Sequence, residues 1–428
     1  MTKFKDQKFA IVGAVVIDGT GNSPLKDGVV ITEGKKILQV GPKSSVNIPP
    51  KAEVIDAKGK FLLPGLVDCH VHVFHSGFVP VPPKGSKLAY AGVIAMNNLR
   101  SALQSGVTTV RDLTSGHINL AMRTAIKRGI MIGPRCLVAG RGICMTGGHG
   151  SSSNIFGTGA HEVDGPIGVR KAIREEAKAG ADLIKILTSS RSKNPEFTQE
   201  ELNVAVEEAH RLGMRVAAHA GNYITTRMVS KAGVDTIEHG IAIDEETADI
   251  MEEKDITLVP TIWVLNDIRE RTIEWKEAYV RSGEYVLYKE RLEDTLAEYE
   301  RIRKLLPRTM EIVKDRDIRI AAGSDNVRWY VPFAMLHEEI RYLTEYGLSN
   351  MEAIEAATRV GAEALGKEDE FGTIESGKYA DLIMVDRDPL KDITALSEVS
   401  WVMKEADIIP LHPEWKRRPI IDGQRQSS

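Results

Sequence analysis

LVDCHVH at 66–72 and ADLIKIL at 181–187 decide the fold. Both are short apolar runs carrying polar residues where a buried strand accommodates them least. Six further runs share the texture: GVTTVRDL (106–113), RCLVAG (135–140), MRVAAHA (214–220), GVDTIEHG (233–240), ITLVPTI (256–262) and IRIAAGSD (318–325). Amphipathic helical patterns such as TQEELNVAVEEAHRLG (198–213) and DEETADIMEEKD (244–255) separate most of them. Eight apolar strands alternating with helices predict an α/β chain folded as a closed (β/α)₈ TIM barrel, rather than an open sheet.

Outward from this repeat the texture changes. FAIVGAVVIDGTG (9–21), GVVITEGKKILQVG (28–41) and AEVIDAKGKFLLPG (52–65) are β-rich runs punctuated by glycine turns. GKYADLIMVD (377–386) and SEVSWVMKEADIIP (397–410) match them near the other end. The expectation is a small β-sandwich module built from residues 1–61 and 373–428, with the barrel over 62–372 inserted in it. The charged segment from Asn266 to Asp317 has helical periodicity and many i,i+4 charge pairs. Trp275, Tyr279, Tyr285 and Tyr288 recur through it, so it is expected to form helices covering one edge of the barrel mouth, not a linker.

Of the 428 residues, 42% are hydrophobic and 27% charged, the composition of a globular protein. A net charge of −4 supplies no field for nucleic acid or an acidic membrane, so the expected partner is a small-molecule or dipeptide-like substrate. No apolar run is long enough for a transmembrane helix. The N-terminal stretch is read as a strand, not a secretion signal. Cys69, Cys136 and Cys144 form no CxxC and cannot all pair, which suits reduced, buried residues of a cytoplasmic protein.

The polar residues fall at the C-terminal ends of the candidate strands, and in such a barrel all those ends face one mouth. His70 and His72 lie two apart, so on a strand both point to the same side and can chelate one metal. His219 and His239 end the fifth and sixth strands; singly, either reads more readily as a structural histidine than as a ligand. Asp325 follows the apolar run IRIAAGS, where a buried carboxylate needs a partner. Lys185 sits between Ile184 and Ile186. Burial would favour its neutral amine, which can react with CO₂ to give a carbamate able to bridge two cations. Alternatively it snorkels to the mouth or pairs with Asp182.

These six residues, with FLLPGLVDCHVH (61–72), TTVRDL (108–113), AATRVGAEALG (356–366) and GTIESGKYADLIMVD (372–386), resemble the amidohydrolase superfamily across essentially the whole chain. The likeness is to its binuclear branch with a carboxylated lysine on the fourth strand. MTGGHG (145–150) adds a likeness to Xaa-Pro dipeptidases (prolidases), metal carboxypeptidases and imidazolonepropionases. Imidazolonepropionase-like members lack the strand-four lysine, so Lys185 argues against that activity.

The resemblance implies two divalent ions, zinc first. One is held by His70, His72 and Asp325 and the other by His219 and His239, with N6-carboxylysine at Lys185 and a hydroxide bridging them. It implies Asp325 as the catalytic base that becomes the acid for the leaving amine. His149 is a candidate for binding the substrate carbonyl or a terminal carboxylate, or else it stabilises its own loop. Tyr223 is a carboxylate-binding candidate two residues beyond the position related dipeptidases use. Arg328 could supply a cation, with Trp329 as an apolar wall. His75 and His117 lie near the mouth, and Arg111 with Asp112 reads as a buried charge pair or as support behind the ligands. A homo-oligomer is expected from the resemblance alone.

The reaction so implied is hydrolysis of an amide bond beside a C-terminal carboxylate, in Xaa-Pro dipeptides or N-acyl amino acids. The alternatives are a carbamate, phenylurea, anilide or amide-linked toxin, and then a cyclic amide or a deamination substrate. A non-catalytic scaffold should have lost ligands, and all six are present.

Overall fold

The structure, a computed structural model, describes residues 7–74, 86–151, 159–189, 194–282, 285–326 and 333–412. The chain opens with β1 (Lys8–Val16), β2 (Leu25–Glu33), β3 (Lys36–Pro42), β4 (Glu53–Asp56) and β5 (Phe61–Pro64). One residue later the pattern becomes strand–helix. It runs β6 (Leu66–Val71), α1 (Lys87–Gln104), β7 (Val107–Asp112), α2 (Ile118–Lys127) and β8 (Arg135–Val138). Two short strands the sequence does not announce follow, β9 (Ile143–Cys144) and β10 (His161–Glu162), before α3 (Gly165–Ala179). Next come β11 (Leu183–Leu187), α4 (Gln199–Arg211), β12 (Arg215–Ala220), α5 (Tyr223–Ala232), β13 (Thr236–His239), α6 (Glu245–Glu253) and β14 (Thr257–Val259). Then α7 (Ile262–Ser282) and α8 (Tyr285–Asp315) take up the charged segment, helical as expected, ahead of α9 (Leu336–Glu345), α10 (Asn350–Ala356) and α11 (Arg359–Ala364). The last strands are β15 (Leu382–Val385), β16 (Val399–Lys404) and β17 (Asp407–Ile408).

Parallel pairing organises the middle. One sheet is β6-β7-β8 and another β10-β9-β11-β12-β13-β14. Every residue of β6, β7, β11 and β13 is buried, as strands covered on both faces require. The two sheets touch where Asp182 N–H donates to Val138 O at 2.8 Å. On the far side, residues 318–326 bridge Leu258 through Ile320 and Val71 through Asn326, both in parallel sense. The eighth expected strand is thus a pair of bridges rather than a continuous ladder. The reason is that Ala322 N–H donates to Ala356 O at the end of α10, not to a neighbouring strand.

Strand alternation separates two cores. Ile184 and Ile186 of β11 join the large apolar cluster under the helices, while Leu183 on the other face packs with Leu113, Ala139 and Ala217. Helix ends are set locally. Thr198 and Glu201 form a capping box at the start of α4, and Gly180, at φ +95°, lets α3 stop.

The outer strands from both ends form one sheet, ordered β17-β16-β15-β5-β1-β2-β3 with β4 on β1. Arg135 of β8 ties that sheet to the parallel strands. Its guanidinium lies over the rings of Phe371 and Tyr379 and pairs with Asp381 at 2.6 Å and Glu405 at 3.2 Å.

Candidate active site

Four imidazoles converge at the C-terminal ends of β6, β12 and β13. The ring centroids of His70 and His72 are 5.3 Å apart, those of His70 and His239 5.1 Å, and those of His219 and His239 4.5 Å. Asp325 reaches the group from the 318–326 segment. Its Oδ1 is 3.2 Å from His72 Nε2 and 3.5 Å from His70 Nε2, and its Oδ2 is 4.0 Å from His239 Nδ1. Backbone geometry holds the carboxylate there: Asp325 N–H donates to His70 O at 2.7 Å, with Asp325 itself at φ +46°. Gly323 permits the approach, because a Cβ on it would stand 2.8 Å from His70 Cβ and 2.6 Å from Val259. His239 and Thr261 also take left-handed backbone, at φ +69° and +49°. Such conformations in non-glycine residues cluster at functional sites.

Lys185 is 1% exposed. Asp182 does not take it up, since that carboxylate pairs with Arg123 and accepts from Val138 N–H. Nor does it snorkel. Its Nζ has no hydrogen-bond partner. Burial, only partly offset by Glu238 and Asp325, brings its pKa down to about 8. Burial also holds His70 and His219 well below the ordinary histidine range, and His239 down to about 4. For Asp325 burial acts upward, but His70, His72 and His239 outweigh it and keep the carboxyl below the usual range. Neutral imidazoles beside an ionised carboxylate are the donor set a divalent cation needs. Nitrogen and oxygen atoms of His70, His72 and Asp325 all lie within 4.8 Å of one another. The amine of Lys185 is thus a buried polar group without the hydrogen bond that burial demands.

His149 joins this group, its ring stacked on that of His219 with centroids 4.3 Å apart. Glu196 holds its loop, accepting the His149 backbone N–H at 3.1 and 3.0 Å on its two oxygens. Tyr223 is not brought in. It is 43% exposed at the start of α5 and lines an open groove with Gln199, Arg227 and Met228. Arg328, Trp329 and His75 lie outside the described residues. His117 pairs instead with the buried Glu176, at 3.0 Å.

Arg111 and Asp112 do not pair with each other. Neighbours on a strand point to opposite faces, so the spacing forbids it. Asp112 accepts from Val73 N–H, Ser115 and Asn119 on one side. Arg111 turns to the other and meets Glu238 at 2.7 Å. Glu238, overlooked in the sequence, also lies 2.7 Å from His70 Nδ1. Its signal was present as a carboxylate inside the buried run TIEH. Thr261, whose Oγ1 is 2.7 Å from His239 Nδ1, left no comparable trace.

The comparisons with known proteins agree with this geometry. The amidohydrolase family profile matches residues 61–409. Ochratoxinase of Aspergillus niger is 29% identical, over 91% of this chain and 83% of its own length. The solved structure of a Xaa-Pro dipeptidase with methionine in its active site superposes with a TM-score of 0.82 at 30% identity, covering 94% of this chain and all of that one. A prolidase complexed with N-methylphosphonate-L-proline gives 0.81 at 28% identity, covering 94% and 99%. With two-thirds of its length and more matched by the profile and its buried His, Lys and Asp residues gathered in one place, the chain belongs to the amidohydrolase family and is a hydrolase of C–N bonds.

Proposed function

We propose that the chain hydrolyses an amide bond adjacent to a C-terminal carboxylate, in Xaa-Pro dipeptides or N-acyl amino acids. The observation that carries this is the convergence of His70, His72, His219, His239, Asp325 and the partnerless Lys185 in one largely buried cluster. The substrate class rests on the dipeptidase holding methionine and the prolidase holding a phosphonate of proline, both ligands being amino acids or close analogues.

In this reading His70, His72 and Asp325 would hold one divalent ion and His219 and His239 a second, with N6-carboxylated Lys185 as a further ligand. Mixed nitrogen and oxygen donors favour zinc. When bound, such ions lower the pKa of water and polarise a carbonyl. The remaining work falls to the chain's own groups. Asp325, kept ionised by its histidine neighbours, takes a proton on a carboxylate oxygen as water adds to the amide carbon. It then returns that proton to the departing nitrogen, so that an amine leaves rather than an amide anion. His149 faces the same space from a loop that Glu196 fixes, and holds the substrate carbonyl or carboxylate. Arg328 remains a candidate for the carboxylate, and Tyr223 could serve only from the surface at the start of α5. Ring-wise hydrogen bonding from Val71 through β7, β8, β11 to β14 and back through Asn326 supports one closed (β/α)₈ barrel over 62–372. The shared outer sheet supports a module from 1–61 and 373–428.

A second reading, an amide-linked toxin as substrate, is favoured by the ochratoxinase match over 91% of the chain. The test is elemental analysis of the purified protein beside turnover of Xaa-Pro dipeptides, N-acyl amino acids, their C-terminal amides and ochratoxin. About two metals per chain are expected, with acids cleaved in preference to their amides. Equal rates on acids and amides would overturn the carboxylate requirement, and ochratoxin as the sole substrate would install the second reading.

A further inference from the structure

Behind His70 stands a buried relay that takes no part in the cluster itself. Glu238 is fully buried on β13, beside His239. Its Oε1 accepts from Arg111 Nη2 at 2.7 Å and from Thr236 Oγ1 at 2.5 Å, and its Oε2 lies 2.7 Å from His70 Nδ1. Arg111 is fixed in turn: Nη1 donates to Thr236 Oγ1 at 2.9 Å and Nε to Cys69 O at 2.5 Å. The Thr236 hydroxyl, having accepted from Arg111, has its own proton for Glu238.

Proton bookkeeping then leaves one arrangement. A guanidinium has only donors and an ionised carboxylate only acceptors. With two donors on Oε1, the contact on Oε2 is a hydrogen bond only if His70 Nδ1 carries the proton. A neutral imidazole protonated at Nδ1 has its lone pair on Nε2, the atom that faces Asp325 at 3.5 Å. We propose that Glu238, held by Arg111 and Thr236, is the positioning residue that fixes the tautomer of His70 and keeps its Nε2 available to a cation. This rests on the reading of His70 as a metal ligand. Carboxylates behind ligating histidines commonly act so.

Arg111 gives the inference a sharp test. In Glu238→Gln the side chain keeps its shape, but Arg111 demands an acceptor and takes the amide oxygen. The amide nitrogen is left facing His70 Nδ1. The imidazole must then accept there and carry its proton on Nε2, against the cation. The expected result, for chelator-stripped full-length protein titrated with Zn²⁺ against a competing dye, is one site weakened about 10–100-fold and the other unchanged. Metal-free melting should fall below wild type, because Arg111 keeps a hydrogen bond to the amide oxygen but loses its buried counter-charge. A folded Glu238→Gln chain that binds two ions with wild-type affinity overturns the inference and leaves the hydrolase reading intact. A wild-type chain that takes up no ion overturns both. Should the variant fail to fold, ¹⁵N–¹H spectra of metal-free wild-type protein decide, with the His70 ring signal assigned by its loss in His70→Asn. A protonated Nδ1 upholds the inference, and a protonated Nε2 overturns it.

Discussion

Replacing Lys185 by Met should stabilise the metal-free protein while destroying its activity. The lysine is 1% exposed and its ammonium has no hydrogen-bond partner, so below its folded-state pKa the fold must keep a bare cation in an apolar strand. The pKa falls from 10.5 to about 8 on folding. At about 1.36 kcal/mol per pH unit, that difference is a penalty of about 3 kcal/mol. Because the folded pKa is depressed, the unfolded chain binds the extra proton. The penalty is therefore complete below pH 8, shrinks between about 8 and 10.5, and vanishes above that range. Methionine fills a similar volume without charge. The Lys185→Met protein should thus melt about 3 °C higher than wild type at pH 7 in chelator and bicarbonate-free buffer. The two should converge near pH 10.5. Differential scanning calorimetry across that range reads the effect. A variant melting below wild type at pH 7 would refute the argument, since it would mean the ammonium has a stabilising partner. Activity retained in the variant would remove Lys185 from the chemistry.

Three other outcomes follow from contacts already described. Thr261→Val keeps the β-branched shape at φ +49° but leaves His239 Nδ1 unpaired; metal titration should show about 10–100-fold weaker binding at one site. Glu196→Ala removes both acceptors of the His149 backbone N–H. Loss of charge-assisted hydrogen bonding worth about 1.5–3 kcal/mol should raise KM about 10–100-fold on N-acyl amino acids, with metal content unchanged. Arg135→Met strands Asp381, whose side chain is 3% exposed, without its guanidinium. Urea denaturation should register a loss of about 3–5 kcal/mol, and a loss under 1 kcal/mol would contradict the buried pairing.

What the sequence disclosed depended on whether a residue's meaning was local. His70 and His72 reveal a shared face through spacing alone, because strand alternation is exact over two residues. Lys185 stands out because its immediate neighbours are apolar, and the structure leaves it as buried as they are. Glu238 is equally buried and equally charged, yet its partners lie on β6 and β7, more than 120 residues away. Nothing beside it in the sequence signals them. For Arg111 and Asp112 the pair is excluded because the strand sends them apart, while the alternative of support behind the ligands holds for Arg111 through Glu238. The run 318–325 reads as a strand from composition, but its backbone bonds are shared with the end of α10, a tertiary choice that periodicity cannot carry. Tyr223 gains its candidacy only from its offset after His219, and the start of α5 puts it on the surface. The left-handed backbone of Thr261 has no compositional mark at all, since a β-branched residue is the last one expected there.

The outer sheet has a bearing on how the molecule is made. β5 lies between β1 and β15, with Phe61 opposite Val385. A ribosome working at about 5–20 residues per second reaches that partner roughly 320 residues, and so roughly 16–64 s, after β5 emerges. Throughout that interval the nascent chain carries Phe61, Leu62 and Leu63 on an open strand edge, the kind of surface that recruits other chains. Biogenesis is thus a race between elongation and self-association, and slower translation worsens the odds.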